Sequence, residues 1–68
     1  MSPIHITLNG QALQLPAGAT LAAAVQASGL QPPFAAAVNL QFVPRTQYPN
    51  TPLKTGDQVE LISPVTGG

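Results

Sequence analysis

The sequence feature that most constrains the fold is a β-hairpin signal near the start of the chain. In the segment Ile4–Leu8, apolar residues alternate with His5 and Thr7, which is the period of a half-buried strand. Asn9-Gly10 follows, and both positions tolerate the positive φ angles of a tight two-residue turn. Such a turn fixes the register of the return strand, Gln11–Leu15, so that large apolar side chains share one face. The predicted pairs are Ile4 with Leu15 and Ile6 with Leu13.

A short helix is predicted after the hairpin. Thr20 is a good N-cap residue, and the alanines of the segment from Leu21 to Ser28 have high helix propensity. Gly29 is suited to the left-handed position just beyond a helix. Only Leu21 and Val25 are large apolar residues on the inner stripe. Because so short a helix is marginal alone, we expect it to pack on a sheet.

Three further segments have the composition and length of strands. They are residues 34–39, 42–43 and 58–63, with a turn at Leu40-Gln41 and a single tight turn at residues 45–48. The prolines that flank residues 34–39 favour a strand there, although its three alanines are also compatible with a helix. In the last strand, Val59 and Leu61 are predicted to face inward and Ile62 outward.

The order of these elements predicts an α+β domain. A hairpin followed by a crossover helix and further strands gives a small mixed β-sheet with one main helix on one face. This is the β-grasp arrangement, in which the first and last strands are central neighbours. We therefore expect one domain over residues 1–63 and a flexible C-terminal Gly-Gly tail over residues 64–68.

The chain has few groups that could perform chemistry. It carries two basic and two acidic side chains, one histidine and no cysteine, and its formal net charge is zero. These properties argue against nucleic-acid and membrane partners and against a bound metal or cofactor. His5 is expected to be an exposed strand residue, and Asp57 a turn residue. We therefore expect a protein that is not an enzyme. It is expected to be cytoplasmic, since no apolar run resembles a membrane span or a signal peptide.

The end of the chain offers one reactive group, the terminal carboxylate of Gly68. Pro64 cannot donate a ladder hydrogen bond, so the last strand should stop there and release the tail. Gly67 and Gly68 have no Cβ, which leaves the carboxylate unhindered on a thin chain. Val65, Thr66 and the two glycines are therefore predicted to thread into a narrow active site of another protein.

Several motifs together point to a family. They are residues 37–45, Tyr48, residues 53–61 and the terminal Gly67-Gly68. Asn39 followed by Val43-Pro44-Arg45 and then an aromatic residue is more specific than residues 56–61, which are a common β-grasp pattern. On these motifs the whole chain, including its length, resembles the ThiS family, the ubiquitin-like sulfur carriers of thiamine biosynthesis.

The resemblance implies a set of partners and a modified C-terminus. A ThiF-type adenylating enzyme would use its own ATP and Mg²⁺ to convert the carboxylate of Gly68 into an acyl-adenylate. Sulfur from a persulfide relay, supplied by a donor such as a cysteine desulfurase, would then give a thiocarboxylate. A ThiG-type thiazole synthase would receive that sulfur. The carrier itself would bind no cofactor.

Three residues outside the tail are candidates for a partner-binding surface. Ile62 is expected to point outward just before the tail. Arg45 and Tyr48 either contact a partner or serve the fold. The second interpretation is the one that the residues favour: Arg45 would hydrogen-bond the nearby turn, and Tyr48 would pack over the sheet edge.

Other functions remain open from the sequence. The tail Pro64-Val65-Thr66-Gly67-Gly68 is similar to that of the molybdopterin-synthase small subunit, a MoaD-like protein that works within an enzyme complex. A ubiquitin-like modifier would use the same kind of tail for attachment to a lysine of another protein. A β-grasp binding module would have no tail chemistry at all.

Overall fold

The structure is a computed structural model that describes residues 2–31 and 33–63. Its elements are β1 (Ile4–Leu8), β2 (Gln11–Leu15), α1 (Leu21–Ser28), β3 (Ala35–Val38), β4 (Gln41–Val43), a 3-10 helix (Arg45–Asn50) and β5 (Gln58–Ile62). The strands form one mixed sheet in the order β2-β1-β5-β3-β4. The helix packs on one face of this sheet, so the predicted α+β arrangement is confirmed.

The N-terminal hairpin has the predicted register. Ile4 lies opposite Leu15 and Ile6 lies opposite Leu13. Asn9 has a φ of 50° and Gly10 a φ of 82°, which is the backbone that a two-residue turn between twisted strands requires. The turn chemistry and the alternation of apolar residues therefore specify the same pairing.

β5 occupies the centre of the sheet. It runs parallel to β1, where Val59 lies opposite Leu8, and antiparallel to β3, where Val59 lies opposite Val38. The prediction that the first and last strands are neighbours is confirmed. The chain therefore leaves the sheet from a strand that is paired on both sides.

The helix begins at Leu21 and ends at Ser28, as predicted, but its N-terminus differs in detail. Thr20 holds the N-cap position with extended backbone, yet its side chain makes no capping hydrogen bond. The Leu21 N–H donates instead to the Thr51 carbonyl, at 2.8 Å. At the other end Gly29 adopts the predicted left-handed backbone, with a φ of 70°.

The core lies between α1 and the inner face of the sheet. Its buried apolar residues are Ile6, Leu15, Ala19, Leu21, Ala24, Ala36, Tyr48, Leu53, Val59 and Leu61. Leu21 and Val59 are completely buried, whereas Val25 is half-buried at the edge of the core. The inward orientation predicted for Val59 and Leu61 is confirmed.

The second half of the chain differs from the prediction at two turns. The β3–β4 turn is Asn39-Leu40 rather than Leu40-Gln41, with positive φ angles of 52° and 70°. Asn tolerates this backbone better than most residues, and its side chain is held by hydrogen bonds described below. The segment predicted as a single tight turn at 45–48 is a longer 3-10 helix of six residues.

Candidate functional site

The strand that carries the tail is fixed on both sides. On one side, the Asn9 N–H donates to the Val59 carbonyl at 2.9 Å. On the other, the Asn39 N–H donates to the Gln58 carbonyl at 2.7 Å. The tail therefore continues from the central strand of the sheet rather than from an edge strand.

The side chain of Asn9 extends this anchoring beyond the end of β1. Its Nδ2 donates to the Leu61 carbonyl at 3.2 Å, and its Oδ1 accepts the Leu61 N–H at 2.8 Å. The amide thus takes the place of a further strand residue beside β5. It satisfies backbone groups of Leu61 that would otherwise lie unpaired near the C-terminal end of β5, which we call the tail root.

A polar cluster around Asp57 fixes the beginning of β5. The carboxylate is only 3% exposed, and it accepts hydrogen bonds from Asn39 Nδ2 at 3.0 Å and from the backbone N–H of Lys54 at 2.9 Å. Lys54 Nζ also lies 3.0 Å from Oδ1. Asn39 Oδ1 accepts the Gln58 N–H at 2.9 Å, which joins the β3–β4 turn to β5.

The electrostatics of this cluster favour an ionised carboxylate. Burial by itself raises the pKa of Asp57, but hydrogen bonds from the Asn39 side chain and from Lys54, together with the Lys54 charge, outweigh it and leave the pKa below its ordinary value. Its partners lie in the β3–β4 turn and in the turn that precedes β5. Asp57 therefore stabilises the fold, which extends its predicted role as a turn residue.

The sheet face opposite the helix carries an apolar patch beside the tail root. Phe42 is 69% exposed and Ile62 is 59% exposed. Ile62 lies opposite Ala35, and Phe42 lies opposite Ala37, so alanines separate the two large side chains across three strands. We call the four residues Ala35, Ala37, Phe42 and Ile62 the sheet-face patch. Exposed large apolar side chains on one sheet face commonly mark a protein–protein contact, and here they flank Glu60, which lies opposite Ala37 on the same face.

The two large members of this patch differ in how well the sequence predicts them. The outward orientation of Ile62 is confirmed. Phe42 is predicted only as part of a short strand. Neighbouring strand residues point to opposite faces, so an inward Val43, which is half-buried here, implies an outward Phe42.

The structure separates the roles of Arg45 and Tyr48. Tyr48 is 9% exposed and stacks on Phe34, with ring centroids 6.2 Å apart and planes 6° from parallel. It therefore packs as a structural residue, under the helix side of the domain. Arg45 is exposed and forms no side-chain hydrogen bond or ion pair with any residue in 2–31 or 33–63. The hydrogen bond predicted between Arg45 and the nearby turn is thus not present among these residues.

Arg45 and Tyr48 meet at a cleft between α1 and the 3-10 helix. The cleft has a volume of about 370 Å³. Its lining residues are Val25, Leu30, Pro33, Phe34, Arg45 and Tyr48. We call it the Arg45 cleft. It lies on the helix side of the sheet and is distinct from the sheet-face patch.

The predicted tail residues Val65, Thr66, Gly67 and Gly68 lie outside the described residues. Within the part that the structure describes, no three His, Cys, Asp or Glu side chains come together in a group that could hold a metal ion. Among the described residues, no helix combines the length and the apolar character that a bilayer crossing requires.

The fold and the anchored last strand define this protein as a β-grasp domain. A crystal structure of the thiamine biosynthesis protein ThiS from Geobacter metallireducens has the same fold, with a TM-score of 0.78 and 20% sequence identity. The match covers 96% of this chain and 100% of the other. No curated protein matches the sequence. The profile of the ThiS family matches residues 6–68, and the chain belongs to the ThiS family.

Proposed function

We propose that the protein is a sulfur carrier of thiamine biosynthesis whose Gly68 carboxylate is the group that carries sulfur. The observation that supports this most strongly is the family match, which spans residues 6–68 and so includes the Gly-Gly end. The anchored β5 gives that end a rigid attachment. The protein is then a co-substrate that partner enzymes act on, in the cytoplasm, and not an enzyme itself.

The first step activates the carboxylate. A free carboxylate is a poor acyl donor, so a ThiF-type enzyme joins it to the α-phosphate of ATP and releases pyrophosphate. Both ATP and Mg²⁺ bind to that enzyme. Domain 1–63 serves as the handle, and the tail of residues 64–68 enters the partner's active site.

The second step brings in sulfur. A persulfide derived from a cysteine desulfurase attacks the acyl-adenylate and displaces AMP. A thiol of the relay then cleaves the sulfur–sulfur bond and leaves a thiocarboxylate on Gly68. A ThiG-type thiazole synthase accepts this sulfur and regenerates the carboxylate.

The sheet-face patch is the surface that we assign to docking of the adenylating enzyme. Ile62 lies in it, immediately before the tail, so an enzyme that binds the patch is already beside the segment it must thread. Phe42 supplies an exposed aromatic side chain, a residue type that contributes strongly at interfaces. Arg45 contributes an exposed charge on the helix side of the domain, at the Arg45 cleft, while Tyr48 acts indirectly because it is buried.

Intact mass measurement tests the proposed chemistry. The protein is incubated with a ThiF-type enzyme, ATP, Mg²⁺, a cysteine desulfurase and cysteine, and one oxygen should be exchanged for sulfur. Deletion of Gly68, or addition of one alanine after it, should abolish the exchange without changing the thermal unfolding of the domain. An unchanged mass for the wild-type chain would reject the carrier function.

The molybdopterin-synthase small subunit is the second candidate, and the observation in its favour is the Pro64-Val65 sequence of the tail. A gene knockout distinguishes the two pathways. Thiazole auxotrophy supports the thiamine carrier, whereas loss of molybdoenzyme activity supports the alternative. A ubiquitin-like modifier would instead give bulky conjugates on denaturing gels.

A further inference from the structure

We propose that the Arg45 cleft is a second docking site for the adenylating partner. It would accept an extended partner segment that carries a large apolar side chain next to an aspartate or glutamate. This inference rests on the proposed function, and it adds the chemistry of the partner segment and the residues that recognise it.

The cleft suits one large apolar side chain. Apart from Arg45, its walls are aliphatic, proline or aromatic, and its volume of about 370 Å³ falls within the range of small ligand sites. Val25 and Leu30 form the helix side, and Phe34 and Tyr48 form the other. Burial of an apolar group there removes apolar surface of both molecules from water.

The walls of the cleft are held in place before any partner binds. Phe34 and Tyr48 are stacked, and Tyr48 is nearly buried. Ser28 Oγ accepts the Leu30 N–H at 3.1 Å and donates to the Val25 carbonyl at 2.6 Å. This bridge fixes the two wall residues on the helix side relative to each other. A preformed site costs less conformational entropy on binding than one that must be ordered.

The charge at the rim selects the polar part of the occupant. The two basic side chains of the protein are Lys54 and Arg45. Lys54 is already paired with the buried Asp57, whereas Arg45 has no ionic partner in residues 2–31 and 33–63. A guanidinium binds a carboxylate through two parallel hydrogen bonds, so an acidic residue beside the apolar one complements this rim.

The position of the cleft connects it to the tail. Pro33 and Phe34 line the Arg45 cleft and also a shallow depression that is completed by Ala35 and Ile62. The depression therefore joins the cleft to the sheet-face patch and to the tail root. A partner that holds the tail and covers Ile62 is within reach of Arg45.

Two substitutions on the same 3-10 helix test the role of the charge. Arg45→Gln and Gln47→Glu each lower the net charge by one unit, but only the first lies in the cleft. With wild-type, R45Q and Q47E proteins as substrates of the adenylating enzyme, R45Q should raise KM about tenfold and leave kcat nearly unchanged. The KM of Q47E should stay within about twofold of the wild-type KM, as for an ordinary exposed substitution.

Salt dependence gives a second measurement of the same charge. Added salt should raise the wild-type KM more than that of R45Q. Equal KM values for R45Q and Q47E would overturn the proposal.

A peptide titration tests the occupant directly. The probe is acetyl-Gly-Phe-Glu-Gly-amide, with the glutamine version as its control, added to the isotope-labelled full chain. Amide resonances of Val25, Leu30 and Tyr48 should shift with the acidic peptide and much less with the control. Equal shifts for the two peptides, or shifts that map elsewhere, contradict the proposal. Two controls address other occupants of the cleft. A shift of these resonances on deletion of residues 64–68 would indicate the tail as the occupant, and a shift on dilution would indicate a second copy of the chain; either result contradicts the proposal.

Different results contradict the proposed function and the cleft proposal. If the wild-type chain is never adenylated, the proposed function is wrong. If the wild type is adenylated normally and R45Q behaves as Q47E does, only the cleft proposal is wrong.

Discussion

At the scale of single residues, Asp57 makes the clearest prediction. Its folded-state pKa lies below its ordinary value, so its stabilising effect is complete above the unfolded pKa of about 3.9 and is lost as the pH falls through the lower folded value. The free energy of unfolding of the wild type should therefore decrease as the pH is lowered from about 5 towards 2. Denaturant titrations across this range measure it.

Asp57→Asn should remove this part of the pH dependence. At neutral pH the variant should be less stable by roughly 1–3 kcal/mol, because an amide cannot accept all the hydrogen bonds that Asn39 and Lys54 donate. Glu60→Gln is the control and should keep the acid-dependent slope. If D57N and the wild type lose stability in parallel on acidification, the buried carboxylate is not its source.

At the scale of elements, the β3–β4 hairpin contains a strained turn that a substitution can relieve. Leu40 has a φ of 70° and is 82% exposed, so a branched side chain adopts left-handed backbone without any compensating burial. Leu40→Gly should stabilise the domain by about 0.5–1 kcal/mol, since glycine adopts this backbone freely. The relief of backbone strain should outweigh the greater conformational entropy that glycine gives the unfolded chain. Chemical denaturation measures the change.

The N-terminal hairpin supplies the comparison for this prediction. Gly10 also has positive φ, at 82°, and a Cβ added there would meet open space. Gly10→Ala should therefore destabilise the domain through backbone strain alone. A loss of stability in L40G would show that the turn is not strained at Leu40.

The elements also show how much of the structure the sequence could predict. Asn9-Gly10 determined a register because both residues favour positive φ and the flanking alternation agreed. Asn39-Leu40 lacks glycine and adjoins weakly patterned alanines, so the turn was predicted one residue too late. The Asn39 side-chain bonds that support it come from residues 18 and 19 positions away, beyond the reach of a local pattern.

The sequence predicted one part of the candidate site, the outward Ile62, but not the Arg45 cleft, for a related reason. Ile62 followed from strand alternation, which is a local property. The Arg45 cleft depends on how the 3-10 helix packs against α1, and on the stacking of Phe34 with Tyr48, which lies 14 positions further along the chain. No spacing in the sequence specifies that packing. The sequence therefore left a partner contact as one of two possible roles for Arg45 and could not place Arg45 in a cleft.

At the scale of the whole molecule, low charge determines how a partner can recognise this domain. Of its two cations and two anions, Lys54 and Asp57 are paired with each other. Long-range electrostatic steering is therefore weak, and recognition must depend on apolar surface with Arg45 as a local addition. Under the proposed function, the sheet-face patch should then be the main contact with the adenylating enzyme, and its contribution should be nearly independent of salt.

Phe42→Ser tests this division of roles. Because Phe42 is 69% exposed, the substitution should change the free energy of unfolding by less than about 0.5 kcal/mol. It should lower kcat/KM for adenylation about tenfold, equally at low and high salt, in contrast to R45Q. Ala12→Ser is the matched control, because β2 lies as far from β5 as β4 does and Ala12 is also exposed. If F42S is adenylated as fast as A12S, the enzyme does not bind this face, and the tail and the cleft must supply the affinity.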